Sequence, residues 1–277
     1  MILRTNVKLN LGLRVLGRRP DGYHDLETLF VPCDAFGDIL EVEPLMTRPK
    51  GSGPEAPACR LEISGPEYRG WSPEDDLVAK AWRLLREETL QDPALSAICP
   101  GGLPAVHVRL EKHSPVGAGL GGGSADGAFM LKALNDLFGL GLSEDALAER
   151  AARLGSDCAF FIYNRPMFAT GRGEVLEPFE IDLSGYRIEV AVPEGVAVST
   201  REAYAGLDGA IRSTTSLREA LKLPVEQWKD AVVNDFERSV FPLYPAIAAL
   251  KQQMYAKGAV YAAMTGSGSA VFGIFAK

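Results

Sequence analysis

The chain has 277 residues, 47% of them hydrophobic and 23% charged, with a formal net charge of −7. This length fits one large domain or two of ordinary size, and this composition is that of a globular chain. The acidic balance argues against a general binder of nucleic acid or of anionic membrane, while leaving room for a nucleotide held by a few local donors. The four cysteines form no Cys-x-x-Cys pair and the three histidines have no zinc spacing, so no structural metal is expected and the thiols suit a reducing cytoplasm. The N-terminus carries no basic–apolar–small leader pattern.

In chain order, Leu3 to Leu16 alternates and reads as a strand pair, with Gly12 as a bulge. Arg18 to Gly22 holds a Pro-Asp-Gly turn, and Leu26–Val31 and Ile39–Val42 read as strands. Thr47 to Ala58, rich in Pro, Gly and Ser, reads as an exposed loop. Leu77 to Glu88 is an amphipathic helix with Leu77, Ala81, Leu84 and Leu85 on one face and Ser72 or Asp75 near its cap. Leu90 to Pro104 reads as irregular, and Val106–Leu110 as a strand. A helix follows through Met130, Leu131, Leu134, Leu137 and Phe138, and another spans Ser143–Leu154, ended by Gly155. Ser156 to Ile162 sets one carboxylate against a wholly apolar run, and Gly171-Arg172-Gly173 is a turn inside Phe168–Glu177.

The second half restarts with a strand from Tyr186 to Val192, then a linker of small and polar residues from Glu194 to Thr215. Helical segments are expected near Ser216–Leu221, Val225–Val233 and Tyr244–Lys257, and two strands flank the glycine-containing run Thr265–Ser269. That run breaks the uncharged stretch from Gly258 to Ala276, which therefore reads as strand, loop, strand and not as a membrane span. A domain boundary falls near 160–185, giving domains 1–165 and 166–277.

The densest signal is Ser114 to Asp126, with five glycines between 117 and 123. A strand, a glycine loop and a helix N-terminus form a frame for phosphate: the backbone approaches closely and the unpaired N–H groups of the first helical turn face the anion. Ser124 adds a hydroxyl that can cap the helix, touch phosphate or ligate Mg²⁺. A Walker A loop is excluded, since no Lys lies between Pro115 and Met130. Gly117, Gly119 and Gly122 satisfy Gly-x-Gly-x-x-Gly, but the loop lies deep in the chain and no strand ending in an acid follows about 20 residues on.

The remaining loop class is that of the GHMP small-molecule kinases, and other motifs agree. Lys8-Leu9-Asn10-Leu11, Arg19-Pro20-Asp21-Gly22-Tyr23-His24, Thr28-Leu29-Phe30, Pro115–Asp126, Gly155-Ser156-Asp157-Cys158-Ala159-Phe160-Phe161, Gly171-Arg172-Gly173-Glu174, Asn234-Asp235-Phe236-Glu237 and Thr265-Gly266-Ser267-Gly268 resemble those of the 4-diphosphocytidyl-2-C-methyl-D-erythritol kinases within that superfamily. The glycine loop alone indicates the superfamily; the Asp-Gly-Tyr-His element with Lys8 and Asn10 points to this branch. The resemblance implies an α/β (α+β), two-domain GHMP-kinase fold with its active site in the interdomain cleft. It also implies transfer of the γ-phosphate of ATP to a hydroxyl of the methylerythritol part of a CDP-linked polyol, in non-mevalonate isoprenoid precursor synthesis. Other members of the superfamily, acting on mevalonate, homoserine or a sugar, and a non-catalytic nucleotide-binding relative are the competing readings. The partners expected are two small molecules and neither nucleic acid nor membrane, in the cytoplasm; no oligomeric state is legible.

Residue by residue, the resemblance makes Asp157 the base, a partly desolvated carboxylate that calls for a cation, and Lys8 that cation. Asn10, two residues from Lys8 on one strand face, is placed to bind substrate or hold the lysine. Pro115, Gly117, Ala118, Gly119, Leu120, Gly121, Gly122, Gly123 and Ser124 form the ATP loop, with Mg²⁺ as cofactor and Ser124 its candidate ligand. Asp76 stands where the family often has Asn at the adenine, and a carboxylate there accepts but does not donate. Tyr23 is expected to stack on cytosine, His24 to bond its edge and Tyr204 to close the other face. Phe30, Thr200, Gly266 and Gly268 complete the substrate set. Asn6-Val7 in place of Pro-Ala, and Ala159 in place of Pro, are departures expected to be tolerated.

Overall fold

The computed structural model describes residues 1–45, 59–207 and 216–277. The expected loop Thr47–Ala58 lies wholly outside them, as does the end of the expected linker. Two compact units interleave along the chain: the first is Met1–Asn6, Phe36–Val116 and Gly122–Tyr163, the second Val7–Ala35, Gly117–Gly121 and Asn164–Lys277.

Among the described residues the first unit holds a four-stranded sheet and five α-helices. Strand β1 (Ile2–Arg4) pairs with β4 (Ile39–Pro44), β4 with β6 (Val106–Glu111), both antiparallel, and β6 runs parallel to β5 (Cys59–Ser64). Val106, Val108 and Leu110 alternate inward on β6, so one face is core and the other meets solvent. Helix α1 (Leu77–Gln91) begins where the Asp76 carboxylate accepts the N–H of Val78, and it buries Val78, Ala81, Trp82 and Leu85. The cap is thus Asp76; Ser72 leads only a short 3₁₀ turn, and Asp75 lies within that turn. A Cβ on Gly127 would lie 2.9 Å from the Leu77 Cβ, so glycine there lets α3 (Gly122–Phe138) pack closely on α1. Helix α4 (Glu144–Leu154) is capped by Ser143, carries Glu144 and Asp145 at its positive end and Arg153 at its negative one, and precedes α5 (Cys158–Tyr163). Leu90–Pro104, expected to be irregular, contains α2 (Pro93–Ile98): Asp92 caps it and Pro93 takes the first helical position, where its missing N–H costs nothing.

Among the described residues the second unit holds two sheets. In the first, β2 (Val7–Arg18), β3 (His24–Cys33), β7 (Met167–Thr170) and β8 (Val175–Pro178) follow one another antiparallel. The strand pair expected in Leu3–Leu16 is not a pair: β1 and the longer β2 lie in different sheets, with β4 and β3 as their neighbours. The expected bulge is present, since the register shift between Leu11 and Leu13 sits at Gly12, whose φ is +71°. A Cβ at Gly12 would lie 2.5 Å from a Leu217 methyl. The second sheet orders β10 (Tyr261–Met264), β11 (Val271–Ala276) and β9 (Tyr186–Ala191), all antiparallel, and α9 (Pro245–Ala256) packs on it through Met254. The expected linker contains α6 (Thr200–Ala205), closed by a capping box between Ser199 and Glu202. The helix expected at Ser216–Leu221 is α7 (Leu217–Ala220), and that at Val225–Val233 is a 3₁₀ turn over Val225–Gln227 followed by turns. Helix α8 (Glu237–Leu243) was not expected, because Pro242 and Pro245 break the helical pattern around it.

Candidate active site

Strand β2 is an edge of its sheet, yet Val7 through Val15 are all buried. Its outer N–H groups therefore need acceptors within the protein, and loops supply them. Lys8 N–H donates to Leu120 O at 2.9 Å, Asn10 N–H to Thr265 Oγ1 at 3.0 Å, Leu13 N–H to Val233 O at 2.9 Å, and Val15 N–H to Asp235 Oδ2 at 2.9 Å. Three separate segments, around Leu120, Val233–Asp235 and Thr265, are thereby held in register along one strand.

Two of those segments are glycine loops. Gly117, Gly119 and Gly121 have φ of +74°, +78° and +75°, alternating with the buried Ala118 and Leu120. This left-handed alternation turns the backbone back and forth while two apolar side chains anchor it. A Cβ on Gly119 would lie 2.5 Å from Thr265 O, and one on Gly266 would lie 3.1 Å from Gly119 O. The two loops thus approach at a distance only glycine permits, and Ala270 N–H closes them with a 3.0 Å bond to Ala118 O. The Asn234 amide secures the second loop by donating to Met264 O at 2.7 Å and Gly266 O at 2.8 Å.

Lys8 and Asn10 come together as the strand period requires. Lys8 Nζ donates to Asn10 Oδ1 at 2.7 Å and lies 4.9 Å from the centre of the Phe30 ring. Asn10 Nδ2 donates to Thr28 Oγ1 at 2.9 Å, and Thr265 Oγ1 donates to Asn10 Oδ1 at 3.1 Å. Lys8 is 4% exposed, so it is no solvated strand lysine. Thr28, Thr265 and Asn234 were not singled out from the sequence as site residues, since hydroxyls and amides far apart in the chain reveal no partner until the fold is known.

The base-reading candidates lie in the same unit. The His24 and Tyr204 rings stack at 4.5 Å between centroids with an 18° interplanar angle, and Tyr204 meets Phe236 edge-on. Tyr23 is exposed, with the Arg172 guanidinium 4.8 Å from its ring centre, so it is His24 that lies on Tyr204. His24 and Tyr204 also line a cavity of about 560 Å³ with Gly17, Arg18, Arg201 and Asp235. Thr200 and Ser267 hydroxyls meet at 3.3 Å.

In the first unit, Asp157 is half-buried and immediately precedes α5, whose residues 158–162 are all buried. Ser124 lies in the first turn of α3, inside the helix and not at its cap, and its hydroxyl bonds to the Cys158 thiol. Burial pushes that thiol up to about 12, so it stays neutral. Asp76, beyond its capping bond to Val78 N–H, accepts the Trp71 indole N–H at 2.9 Å. Pro115 and Gly122 bound the loop; a Cβ on Gly122 would lie 2.8 Å from that of Ser114, while Gly123 faces open space. Lys112 forms ion pairs with Asp38 and Asp126. Burial pushes the Asp126 carboxyl up to about 8 against the pull of Lys112. Burial alone would lower the Lys112 ammonium, and the two carboxylates outweigh it.

Residues 76–165 match the GHMP kinase N-terminal domain and residues 215–277 the GHMP kinase C-terminal domain. A 4-diphosphocytidyl-2-C-methyl-D-erythritol kinase from Bacteroides thetaiotaomicron is 48% identical over 99% of this chain and 92% of its own. The chain belongs to the 4-diphosphocytidyl-2-C-methyl-D-erythritol kinase family of GHMP kinases. A more distant member, from Solidesulfovibrio magneticus, is 38% identical across the whole of this chain and 88% of its own. The crystal structure of a 4-(cytidine 5′-diphospho)-2C-methyl-D-erythritol kinase superposes with a TM-score of 0.72 at 31% identity, covering 99% of this chain and 90% of that one. The structure of L. major mevalonate kinase, at TM-score 0.67 and 16% identity over 100% of this chain and 87% of that one, shares the fold.

Proposed function

We propose that this chain phosphorylates a hydroxyl of 4-diphosphocytidyl-2-C-methyl-D-erythritol at the expense of ATP, a step of non-mevalonate isoprenoid precursor synthesis. The observation that carries the reading is the 48% identity to a kinase of that name across 99% of the chain. The buried Lys8–Asn10 pair and the fixed glycine segment are the local chemistry such a reaction asks for.

In this reading the Asp157 carboxylate takes the proton of the acceptor hydroxyl as its oxygen attacks the γ-phosphorus, and ADP leaves. The Lys8 ammonium, held by Asn10, offsets the charge of the transferring group. The backbone of residues 115–124 receives the phosphates, with the N–H groups of the first turn of α3 aimed outward. Asp76 serves α1 and Trp71, so its part in adenine recognition is limited to the remaining lone pairs of a carboxylate already in use. Tyr23, His24 and Tyr204 read the cytosine, and Phe30, Thr200, Gly266 and Gly268 complete the acceptor site.

Among the described residues no group of three or more His, Cys, Asp or Glu is arranged to hold a metal ion. Mg²⁺ keeps most of its waters and is carried chiefly by nucleotide phosphates. Ser124 fits as a protein ligand, because its hydroxyl oxygen stands in the first turn of α3, directly after the glycine segment. Bound there, Mg²⁺ would neutralise charge on the nucleotide. Among the described residues no helix is long and apolar enough to cross a membrane. We place the reaction in the cytoplasm, whose reducing conditions suit the four free thiols.

A coupled ADP-release assay offering the CDP-linked alcohol, mevalonate and homoserine in turn tests this function. Turnover of the first alone is expected; turnover of mevalonate or homoserine, with none of the CDP-linked alcohol, overturns it.

A further inference from the structure

The first unit encloses a charged cluster that the mechanism above leaves unused. The side chains of Lys112, Asp38 and Asp126 are 3%, 0% and 1% exposed. Lys112 Nζ donates to Asp38 Oδ2, and to Asp126 Oδ2 at 2.5 Å. The other Asp38 oxygen accepts the backbone N–H groups of His113 at 2.6 Å and Ser114 at 2.7 Å. Thr5 completes the ring: its hydroxyl donates to Asp126 Oδ1 at 3.2 Å and accepts the Asp38 N–H at 3.0 Å.

One buried ammonium and two buried carboxyl groups are a poor way to gain stability, since an apolar trio of the same volume commonly serves as well. Their placement suggests another use. His113 and Ser114 lead directly into Pro115, where the glycine segment begins, and Asp126 lies near the start of α3, where it ends. The close approach of Gly122 to Ser114 brings those two ends into contact. Asp38 grips one end through two backbone bonds, Asp126 belongs to the other, and Lys112 joins them.

We infer that Lys112, Asp38 and Asp126 are positioning residues, a buried charged clamp that fixes both ends of the glycine segment so that it meets nucleotide phosphate already formed. They act through Ser114 and the first turns of α3 and touch neither substrate. A segment with both ends fixed loses less conformational freedom on binding, and the N–H groups of α3 keep their aim. The inference rests on the kinase reading for its ligand, ATP.

The test uses two variants of the full chain. Asp126→Asn keeps the shape and leaves Lys112 paired with Asp38; Thr5→Val removes the bridging hydroxyl and changes no charge. Calorimetry measures a non-hydrolysable ATP analogue and, separately, CDP, with far-UV circular dichroism as the check on folding. Asp126→Asn is expected to bind the analogue about 10-fold more weakly, with CDP affinity unchanged within about twofold, because displacing phosphate donors by a fraction of an ångström costs that much. Thr5→Val is expected to move the same way by a smaller factor, and it decides the matter should Asp126→Asn fail to fold. In turnover, KM for ATP rises while KM for the acceptor stays. A folded variant with wild-type analogue affinity, or an equal loss toward analogue and CDP, overturns the inference. Because analogue binding is read without the acceptor, a wild-type chain that binds ATP yet ignores the CDP-linked alcohol would overturn the functional reading alone.

Discussion

The backbone N–H of Lys8 donates to the carbonyl of Leu120 at 2.9 Å. One bond thus registers the strand that carries the lysine against the middle of the glycine segment. Neither partner can slip by a residue without orphaning a buried N–H and turning the Lys8 and Asn10 side chains to the opposite face. The same edge of β2 fixes the C-terminal glycine loop through Asn10 and Thr265.

Gly119→Ala is expected to lower stability, while Gly123→Ala is not. At Gly119 the left-handed backbone alone costs about 1–2 kcal/mol for a residue with a Cβ. The added methyl would also lie 2.5 Å from Thr265 O, where no flexible side chain can yield. Gly123 lies in a helix with nothing within 4 Å of an added Cβ, so alanine there is neutral or stabilising by up to about 1 kcal/mol. Thermal melts decide it; equal melting temperatures for the two variants would show that the loops do not need their close approach.

Asp157→Asn should reduce kcat by about 10²-fold or more, in the range for loss of a general base, with modest change in ATP affinity. Steady-state kinetics on a variant with wild-type circular dichroism is the measurement. Near-normal turnover would return Asp157 to a role at the start of α5.

The CDP-linked substrate should be clearly preferred to its UDP-linked counterpart. Uracil exchanges the acceptor at position 3 and the donor at position 4 of cytosine for a donor and an acceptor, so a site built to bond the cytosine edge leaves a buried polar group unpaired. His24→Ala should erode that preference. Tyr23→Ala should weaken both substrates by about 1–3 kcal/mol, the worth of one base–aromatic stack. Since His24 lies on the Tyr204 ring, Tyr204→Ala should disturb the edge contact as well as the stack and erode the preference too. Equal use of both substrates by the unmodified chain would withdraw these assignments.

The four free thiols should be slow to react in the folded protein at pH 8. Burial raises all of them above the ordinary value, Cys59 and Cys158 to about 12. The thiolate is the nucleophile, so a raised pKa cuts its fraction at pH 8 and the rate climbs only as pH approaches the shifted value. A chromogenic disulfide reagent should titrate the chain rapidly in denaturant and slowly without it; rapid native reaction at Cys158 would contradict its neutral, buried state beside Ser124.

Local chemistry was written into the sequence wherever one segment suffices. The glycine segment, the Lys8–Asn10 spacing, the bulge at Gly12 and the helices at α1 and α4 were all legible, because strand period, left-handed glycine and helix caps act over a few residues. Two misses were legible in principle: Asp92-Pro93 announces α2 and Ser199-x-x-Glu202 announces α6. Other features needed the tertiary structure. The Lys112 clamp draws Thr5, Asp38 and Asp126 from distant parts of the chain, and Asn10 meets Thr265 across 255 positions. The stacking of His24 on Tyr204 is likewise invisible in either segment alone. Short-range preferences set each element, but a buried donor takes whichever acceptor the packed chain brings within 3 Å. That choice is made only when the whole fold closes.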